Sequence, residues 1–397
     1  MNGFREKQAI KGVEYTILKY LIILYPILIS ISRFIPIVGT FLTLILLCVL
    51  IIENIYSKKF WIKYSVIIIL LIISSSVYTE ISNHTAHIKV ILIFFLSMDC
   101  YYRTFYERCT CLIKKYSKFI IFQIIIILGV NFIFFFNSLG YSKDYTQDWG
   151  FRAFQGIYPD PHQAAYHFCA LLILILWISR YKYNFMQWLI IAGIEYCILM
   201  TGARVPTVLG IILGGIFCLD HRIKFKSNNK ALGNIISYIP IILLALVTVV
   251  FMMKHTSFGV KILNATKGAS FDNGRSGLRE MDIKLFQSSD LFHKWFGNGT
   301  DAVIKSHKGP YNDAIWSHND FFQILCGMGL IMFLFYCKQW ISILWNMIKR
   351  KKYLGFLTVL ICIIVAFYNG LYIHSRFVFV MPLLFLYFKD RKKYVKI

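Results

Sequence analysis

Long apolar runs separated by short polar connections occupy most of the chain. Hydropathy delimits about twelve runs whose lengths approach or match the thickness of a bilayer. They cover residues 16–31, 36–55, 61–79, 87–102, 119–136, 162–179, 185–200, 205–219, 232–253, 321–337, 353–368 and 377–388. Backbone polar groups in lipid must be satisfied within the segment, and the runs lack the period-two alternation of barrel strands, so we predict helices. The sequence thus indicates an all-α, polytopic membrane protein with a single transmembrane domain over residues 1–397.

The fourth run ends in polar residues, and this leaves the number of crossings open. Asp99 and Arg103 shorten its apolar stretch. If this segment dips into the bilayer without crossing it, the number of spans becomes odd and the topology must be redrawn.

Lysine and arginine cluster in alternate connections, as the positive-inside rule requires for an even number of spans. The clusters lie within residues 5–11, 58–63, 103–118, 180–182, 222–230, 349–352 and 391–393. We therefore predict that these connections and both termini are cytoplasmic, in a cytoplasmic membrane. Orientation and contact with anionic lipid account for most of the net charge of +24. Nucleic-acid binding would require an accessible basic domain, and with 58% hydrophobic residues the chain offers none.

Two connections on the opposite, extracytoplasmic side are substantial, at residues 137–161 and 254–317. The larger one contains the sequence Gly-Arg-Ser-Gly-Leu-Arg-Glu at 274–280, an amphipathic stretch at 281–295 and a glycine turn at 296–299. This spacing predicts a helix that lies on the membrane surface and ends at the glycine turn. The alternative is an unstructured loop.

Arginine on the outer face needs a reason, because the positive-inside rule disfavours it. Arg204 ends the tight connection Thr-Gly-Ala-Arg, which places a guanidinium at the membrane boundary, where it would bind phosphate oxygens or simply snorkel. Arg275 and Arg279 are four residues apart and would share one helix face, able to hold two oxygens of one anion. Alternatively Arg279 pairs with Asp282 or a neighbouring acid and only Arg275 faces the site; of the two arginines we favour Arg275 as the site residue.

His318 lies where the larger connection meets the next apolar run. The sequence from Ser317 to Asp320 resembles a capping box, with Ser317 as the N-cap and Asp320 reaching back. This would place His318 in the first helical turn, where the helix dipole lowers its pKa and favours the neutral ring. A lone interfacial histidine is otherwise a polar anchor.

A second outer motif runs from Arg152 to Gln163 and contains Asp160 between two prolines. It predicts a rigid turn in which Arg152 adds a third cation and Asp160 is either functional or structural. The remaining histidines have no partner pattern: His84, His87, His167, His255, His293, His307 and His374. We find no ligand spacing for a metal, no phosphate-binding glycine loop and no paired carboxylates of a glycosidase.

These motifs resemble the bacterial O-antigen polymerases and O-antigen ligases over residues 152–329. The resemblance is carried by Gly-Arg at 274–275, Phe-Gly-Asn-Gly at 296–299, Ser-His-Asn-Asp-Phe-Phe-Gln at 317–323 and Gly-Met-Gly-Leu at 327–330. The motifs at 152–162 and 201–204 correspond to two further outer motifs of the family. Members often carry tryptophan at the position of Arg279 and serine at that of Ala203.

The resemblance implies a metal-independent, cofactor-free inverting glycosyltransferase of the membrane-embedded GT-C type. It would polymerise sugar repeat units carried on undecaprenyl diphosphate, which serve as both donor and acceptor. Arg204 and Arg275, with Arg152 and Arg279, would bind the diphosphate, and His318 would orient or deprotonate the acceptor; Asn319, Asp320 and Asp160 would support them. Membrane lipids, a flippase and a chain-length regulator are the implied partners. The alternatives are an O-antigen ligase that acts on a lipid A core and, in another class, a flippase for the lipid-linked sugar.

Overall fold

A computed structural model describes residues 2–31, 35–55, 58–76, 81–142, 152–180, 185–220, 275–307 and 316–389, together with Gly259. Every regular element in these ranges is an α-helix, apart from one isolated bridge between Tyr141 and Phe154. In chain order the helices are α1 (Asn2–Ile31), α2 (Pro36–Ile55), α3 (Lys58–Ser76), α4 (Ile81–Tyr101), α5 (Phe105–Lys115), α6 (Ser117–Phe136), α7 (Pro161–Ser179), α8 (Phe185–Met200), α9 (Arg204–Asp220), α10 (Arg275–Ser288), α11 (Leu291–Phe296), α12 (Thr300–Ser306), α13 (Asp320–Lys349), α14 (Tyr353–Tyr368) and α15 (Ser375–Lys389). The prediction of an all-helical chain is confirmed.

Four of the described helices are long and apolar enough to cross a membrane, which is consistent with a membrane protein. They are Ile37–Ile55, Ser117–Phe136, Pro161–Ser179 and Asp320–Lys349, and six shorter apolar helices accompany them. The predicted span at 232–253 lies outside the described residues. Twelve spans, their orientation and the GT-C architecture remain predictions.

Helix α5 lies in a connection for which no helix was predicted. It has Glu107 in its first turn and two lysines in its last, which suits the helix dipole. Asp99 lies inside α4, and Lys63, Tyr64 and Gln339 all donate hydrogen bonds to its carboxylate at 2.8–3.1 Å. Whether the fourth run crosses the membrane stays open.

The chain divides into two compact units. The first comprises Met1–Ile22, Ile37–Leu112 and Asp272–Ile397, and the second comprises Ile23–Pro36 and Ile113–Phe271. In the first unit α13 is the central helix and contacts α3, α4, α10, α11, α12 and α14. In the second, α7 packs against α6, α8 and α9 and is buried along nearly its whole length, as its apolar residues on all faces require.

The described part of the larger connection is three helices, α10, α11 and α12, where the sequence indicated one. The amphipathic stretch is interrupted at Asp290, whose side chain accepts from the backbone N–H of His293 and caps α11. Residues 254–258, 260–274 and 308–315 of this connection lie outside the described residues. Location on a membrane surface stays a prediction, and Leu291 and Phe292 of α11 expose apolar surface that suits it.

A backbone contact between two glycine-rich turns fixes these helices onto α13. Asn298 and Gly299 donate to the carbonyls of Cys326 and Gly327 at 2.9 and 3.0 Å. Gly329 interrupts α13 with φ +81°, and Gly297 opposite has φ +95°; a Cβ on Gly297 would lie 2.5 Å from the Gly327 carbonyl oxygen. Only glycine permits both this approach and these dihedrals.

Candidate functional site at the start of helix α13

His318 does not lie in the first turn of α13, so the capping prediction is wrong. Asn319 is the N-cap, and its side-chain oxygen accepts from the N–H groups of Phe321 and Phe322 at 2.9 and 3.1 Å. Ser317 instead donates from its hydroxyl to Gln323 at 3.0 Å. His318 thus stands just outside the helix in the left-handed region, with φ +50°. A non-glycine residue in that conformation is held there by its surroundings, which is typical of functional positions.

Asp320 anchors this conformation. Its fully buried carboxylate accepts from the backbone N–H groups of Leu371 and Tyr372 and from the hydroxyl of Tyr336, at 2.8–3.0 Å. The start of α13 is therefore tied to the turn between α14 and α15. The sequence predicted that Asp320 would reach back to a cap, and this prediction is wrong. Asp320 instead fixes the position of the backbone that carries His318.

Trp316 covers the other side of His318. The two rings are 4.9 Å apart between centroids and tilted by 45°. The indole also lies against Gly370, where φ is +72° and a Cβ would come within 2.1 Å of it. The indole therefore packs against the imidazole of His318.

Arg275 and Arg279 share one face of α10, as predicted, and both face the end of α14. Arg275 donates to the carbonyl of Tyr368 at 2.7 Å and to the side-chain oxygen of Asn369 at 2.9 Å. The guanidinium of Arg279 lies over the rings of Phe367 and Tyr368, 5.6 and 5.3 Å from their centroids.

The suggested pairing of Arg279 with Asp282 is replaced by a different pair. His307, at the end of α12, lies 2.9 Å from the carboxylate of Asp282, and both side chains are fully buried. This partner of His307 was not predicted, because the two residues are 25 positions apart in the chain. The pair ties α10 to α12 and positions a second imidazole near His318.

The electrostatic environment of His318 favours a neutral ring, although for a different reason from the one expected. Burial is the largest cause that lowers the pKa of His318 to about 3, followed by the charges of Arg275 and His307. The pKa of His374 in the neighbouring turn is also lowered to about 3, by burial and then by the charge of His318. The imidazole of His318 is therefore an acceptor at neutral pH.

The second unit holds the other predicted site residues. Arg204 is the first residue of α9, and the preceding tight turn has Gly202 at φ +63° and a hydrogen bond from Ala203 N–H to the Thr201 hydroxyl. Asp160 caps α7 by accepting from Gln163 N–H at 2.8 Å, and burial raises its pKa. This contact supports the structural interpretation of Asp160.

The two outer motifs of the second unit lie side by side. The backbone N–H of Phe154 donates to the carbonyl of Met200 at 3.0 Å, so the segment that carries Arg152 runs next to the turn before Arg204. Arg152 is exposed and Arg204 is half-buried. The described parts of the smaller connection, 137–142 and 152–160, also pair through Ser142, whose N–H donates to Ala153 at 2.9 Å.

The first unit thus presents a neutral imidazole next to an anchored stretch of backbone, with a permanent guanidinium close enough to lower its pKa. Such a site can accept a hydroxyl proton in a hydrogen bond and can stabilise an anion beside it. No group of three or more His, Cys, Asp or Glu side chains in the part of the chain that the structure describes could hold a metal ion. The chain matches no protein-family model and no curated protein.

Proposed function

We propose that the chain is an inverting glycosyltransferase that joins oligosaccharide repeat units carried on undecaprenyl diphosphate into a surface polysaccharide, at the outer face of the cytoplasmic membrane. The observation that carries the proposal is the neutral, strained His318, held by the Asp320 anchor within electrostatic reach of Arg275. An acceptor hydroxyl needs an orienting base, and a diphosphate needs a cation.

In the proposed reaction, the acceptor oxygen forms a bond to the anomeric carbon of the donor. The bond from that carbon to the diphosphate oxygen breaks, its electron pair stays on the diphosphate, and the hydroxyl proton passes to an oxygen of the departing diphosphate. Arg275 would neutralise the charge that develops on the diphosphate, and the same role for Arg204 and Arg152 stays a prediction from the sequence resemblance. Neutralisation makes diphosphate a good leaving group, and no general acid is required.

The test compares polysaccharide produced by variants that accumulate normally in the membrane. We expect His318→Ala and Arg275→Ala to abolish long chains, since each removes one of the two required functions. His293→Ala is the matched control, because His293 pairs only locally with Asp290 in an exposed part of α11. Wild-type chain length in either of the first two variants would contradict the proposal.

An O-antigen ligase would use the same donor and differ in its acceptor. Purified protein supplied with lipid-linked repeat units alone separates the two activities: a polymerase makes lipid-linked dimers, whereas a ligase gives a product only after a lipid A core is added.

Glu195 favours a second candidate, a flippase for the same lipid-linked sugar. It lies in the apolar helix α8 and faces Gly210 and Gly214 of α9, where a Cβ would meet its carboxylate oxygens at 2.9 and 2.6 Å. An ionisable residue within a membrane helix is a candidate functional residue by default, and transport paths are one of the places where such residues occur. In liposomes, relocation of the sugar without a new glycosidic bond would support the flippase, and Glu195→Gln should then abolish it.

A further inference from the structure

The first unit carries a second polar site, at the far end of α13 from His318. A groove of about 1120 Å³ lies between α3, α4 and the last half of α13. This volume exceeds the roughly 1,000 Å³ at the upper end of ordinary small-molecule pockets. Its lining combines cations from Lys338 to Arg350 with apolar side chains of α3 and α13.

The cations of the groove are in excess over its carboxylates. Asp99 is engaged by Lys63, at 2.8 Å, which neutralises that pair. Lys338, Lys349 and Arg350 are exposed, and none has a carboxylate partner among the described residues. The groove therefore offers about three uncompensated positive charges to a ligand.

The apolar wall of the groove is exposed in the same place. Ile62, Val66 and Trp345 are 67%, 41% and 65% exposed, which is a large apolar surface for residues beside lysines. Lys338, Ser342, Trp345 and Lys349 form one stripe along α13, because positions 0, 4, 7 and 11 share a helix face. Two ammonium groups, a hydroxyl and an indole thus lie along one side of the groove.

The side chains of this wall are of the types that suit the boundary between membrane and water. All of those on α13 lie in the part of the helix that follows the interruption at Gly329. Tryptophan and lysine are the residues that favour this level, where lipid phosphates are found.

We propose that this groove binds an anionic diacyl phospholipid, with its phosphate among Lys338, Lys349 and Arg350 and an acyl chain along Ile62 and Val66. Both the positive charge and the apolar wall of the groove indicate this occupant. A free phosphate would leave the apolar wall uncovered, and a zwitterionic lipid would leave the positive charges without a net negative charge to balance them. Basic recesses between membrane helices are known to select anionic headgroups on these grounds.

The test uses the purified full-length protein in detergent and counts bound lipid by native mass spectrometry. We expect phosphatidylglycerol to be retained over phosphatidylcholine. Lys338→Gln with Arg350→Gln should weaken phosphatidylglycerol binding by about fivefold for each cation removed. The matched control is Lys115→Gln with Lys118→Gln. It removes one exposed lysine from α5 and one from α6, and it should leave phosphatidylglycerol binding unchanged.

A second variant probes the apolar wall without changing charge. Val66→Trp fills the groove from an exposed position, so the fold is preserved and phosphatidylglycerol binding should fall. Equal retention of phosphatidylcholine, equal losses in the two double variants, or unchanged binding in Val66→Trp would each overturn the proposal. Displacement of the lipid by soluble glycerol phosphate at equal concentration would also overturn it, because it would identify a phosphate site that does not recognise the acyl chain.

Discussion

Replacing Asp320 by alanine should release the junction that holds His318. The carboxylate is the common acceptor for Leu371 N–H, Tyr372 N–H and the Tyr336 hydroxyl, and it is fully buried. Alanine would leave three buried donors without an acceptor. Each unsatisfied donor costs about 1–3 kcal/mol, so after partial relaxation we expect a loss of about 4 kcal/mol in the free energy of unfolding.

Tyr336→Phe is the internal comparison for this loss. It removes one hydrogen bond to the same carboxylate and leaves two, and its cost should be about 1.5–3 kcal/mol. Denaturant titration in mixed micelles, followed by tryptophan fluorescence, would measure both values. The alanine variant should also lose polysaccharide synthesis at temperatures where it remains folded, because the backbone of His318 is no longer fixed.

The ordering of the two variants decides whether this reasoning is correct. If Asp320→Ala lowers the free energy of unfolding by less than Tyr336→Phe does, the carboxylate is not the organising acceptor of the junction. If the alanine variant is destabilised as expected but its folded fraction retains wild-type activity, the anchor stabilises the fold without positioning His318.

Three further predictions concern other parts of the chain. The pKa values of His318 and His374 are about 3 in the folded state, so the unfolded state takes up their protons first as the pH falls below about 6.5. The free energy of unfolding should be full above that pH and fall towards pH 3 by about 1.4 kcal/mol per pH unit for each ring. His318→Gln should reduce this slope in unfolding titrations. Gly297→Ala should make α10 to α12 more sensitive to limited proteolysis, since positive φ alone costs about 1–3 kcal/mol, whereas Gly215→Ala, which meets nothing within 4 Å, should not. Under the proposed function, Arg204→Lys should raise the KM of the purified protein for the lipid-linked donor, because an ammonium cannot bind phosphate with two parallel N–H groups; an unchanged KM would exclude that contact.

The sequence predicted the helices well where the signal is local. The predicted runs at 185–200 and 353–368 coincide with α8 and α14, since an apolar run bounded by polar residues determines its own ends. The pairing of Arg275 and Arg279 on one face follows from helix periodicity alone.

The capping error shows where local reasoning fails. Ser317 and Asn319 are both good N-cap residues, and a sequence cannot rank two candidates two positions apart. Which of the two residues is the N-cap depends on Asp320, whose hydrogen-bond partners Leu371 and Tyr372 lie 51 and 52 residues later in the chain. The Asp282–His307 pair was missed for the same reason, because both members are joined only when α10 and α12 fold together.

The environment of His318 narrows its part in the proposed reaction. A ring whose pKa is about 3 is a weak base, and it would take a hydroxyl proton only late, after the new bond to the anomeric carbon has largely formed. The negative charge of a diphosphate bound beside Arg275 would offset the part of the pKa lowering that Arg275 causes. Burial is the largest cause of the low pKa, and its effect would remain. His318 therefore fits an acceptor that orients the hydroxyl through a hydrogen bond, and the departing diphosphate, with its several anionic oxygens, is the stronger base for the proton.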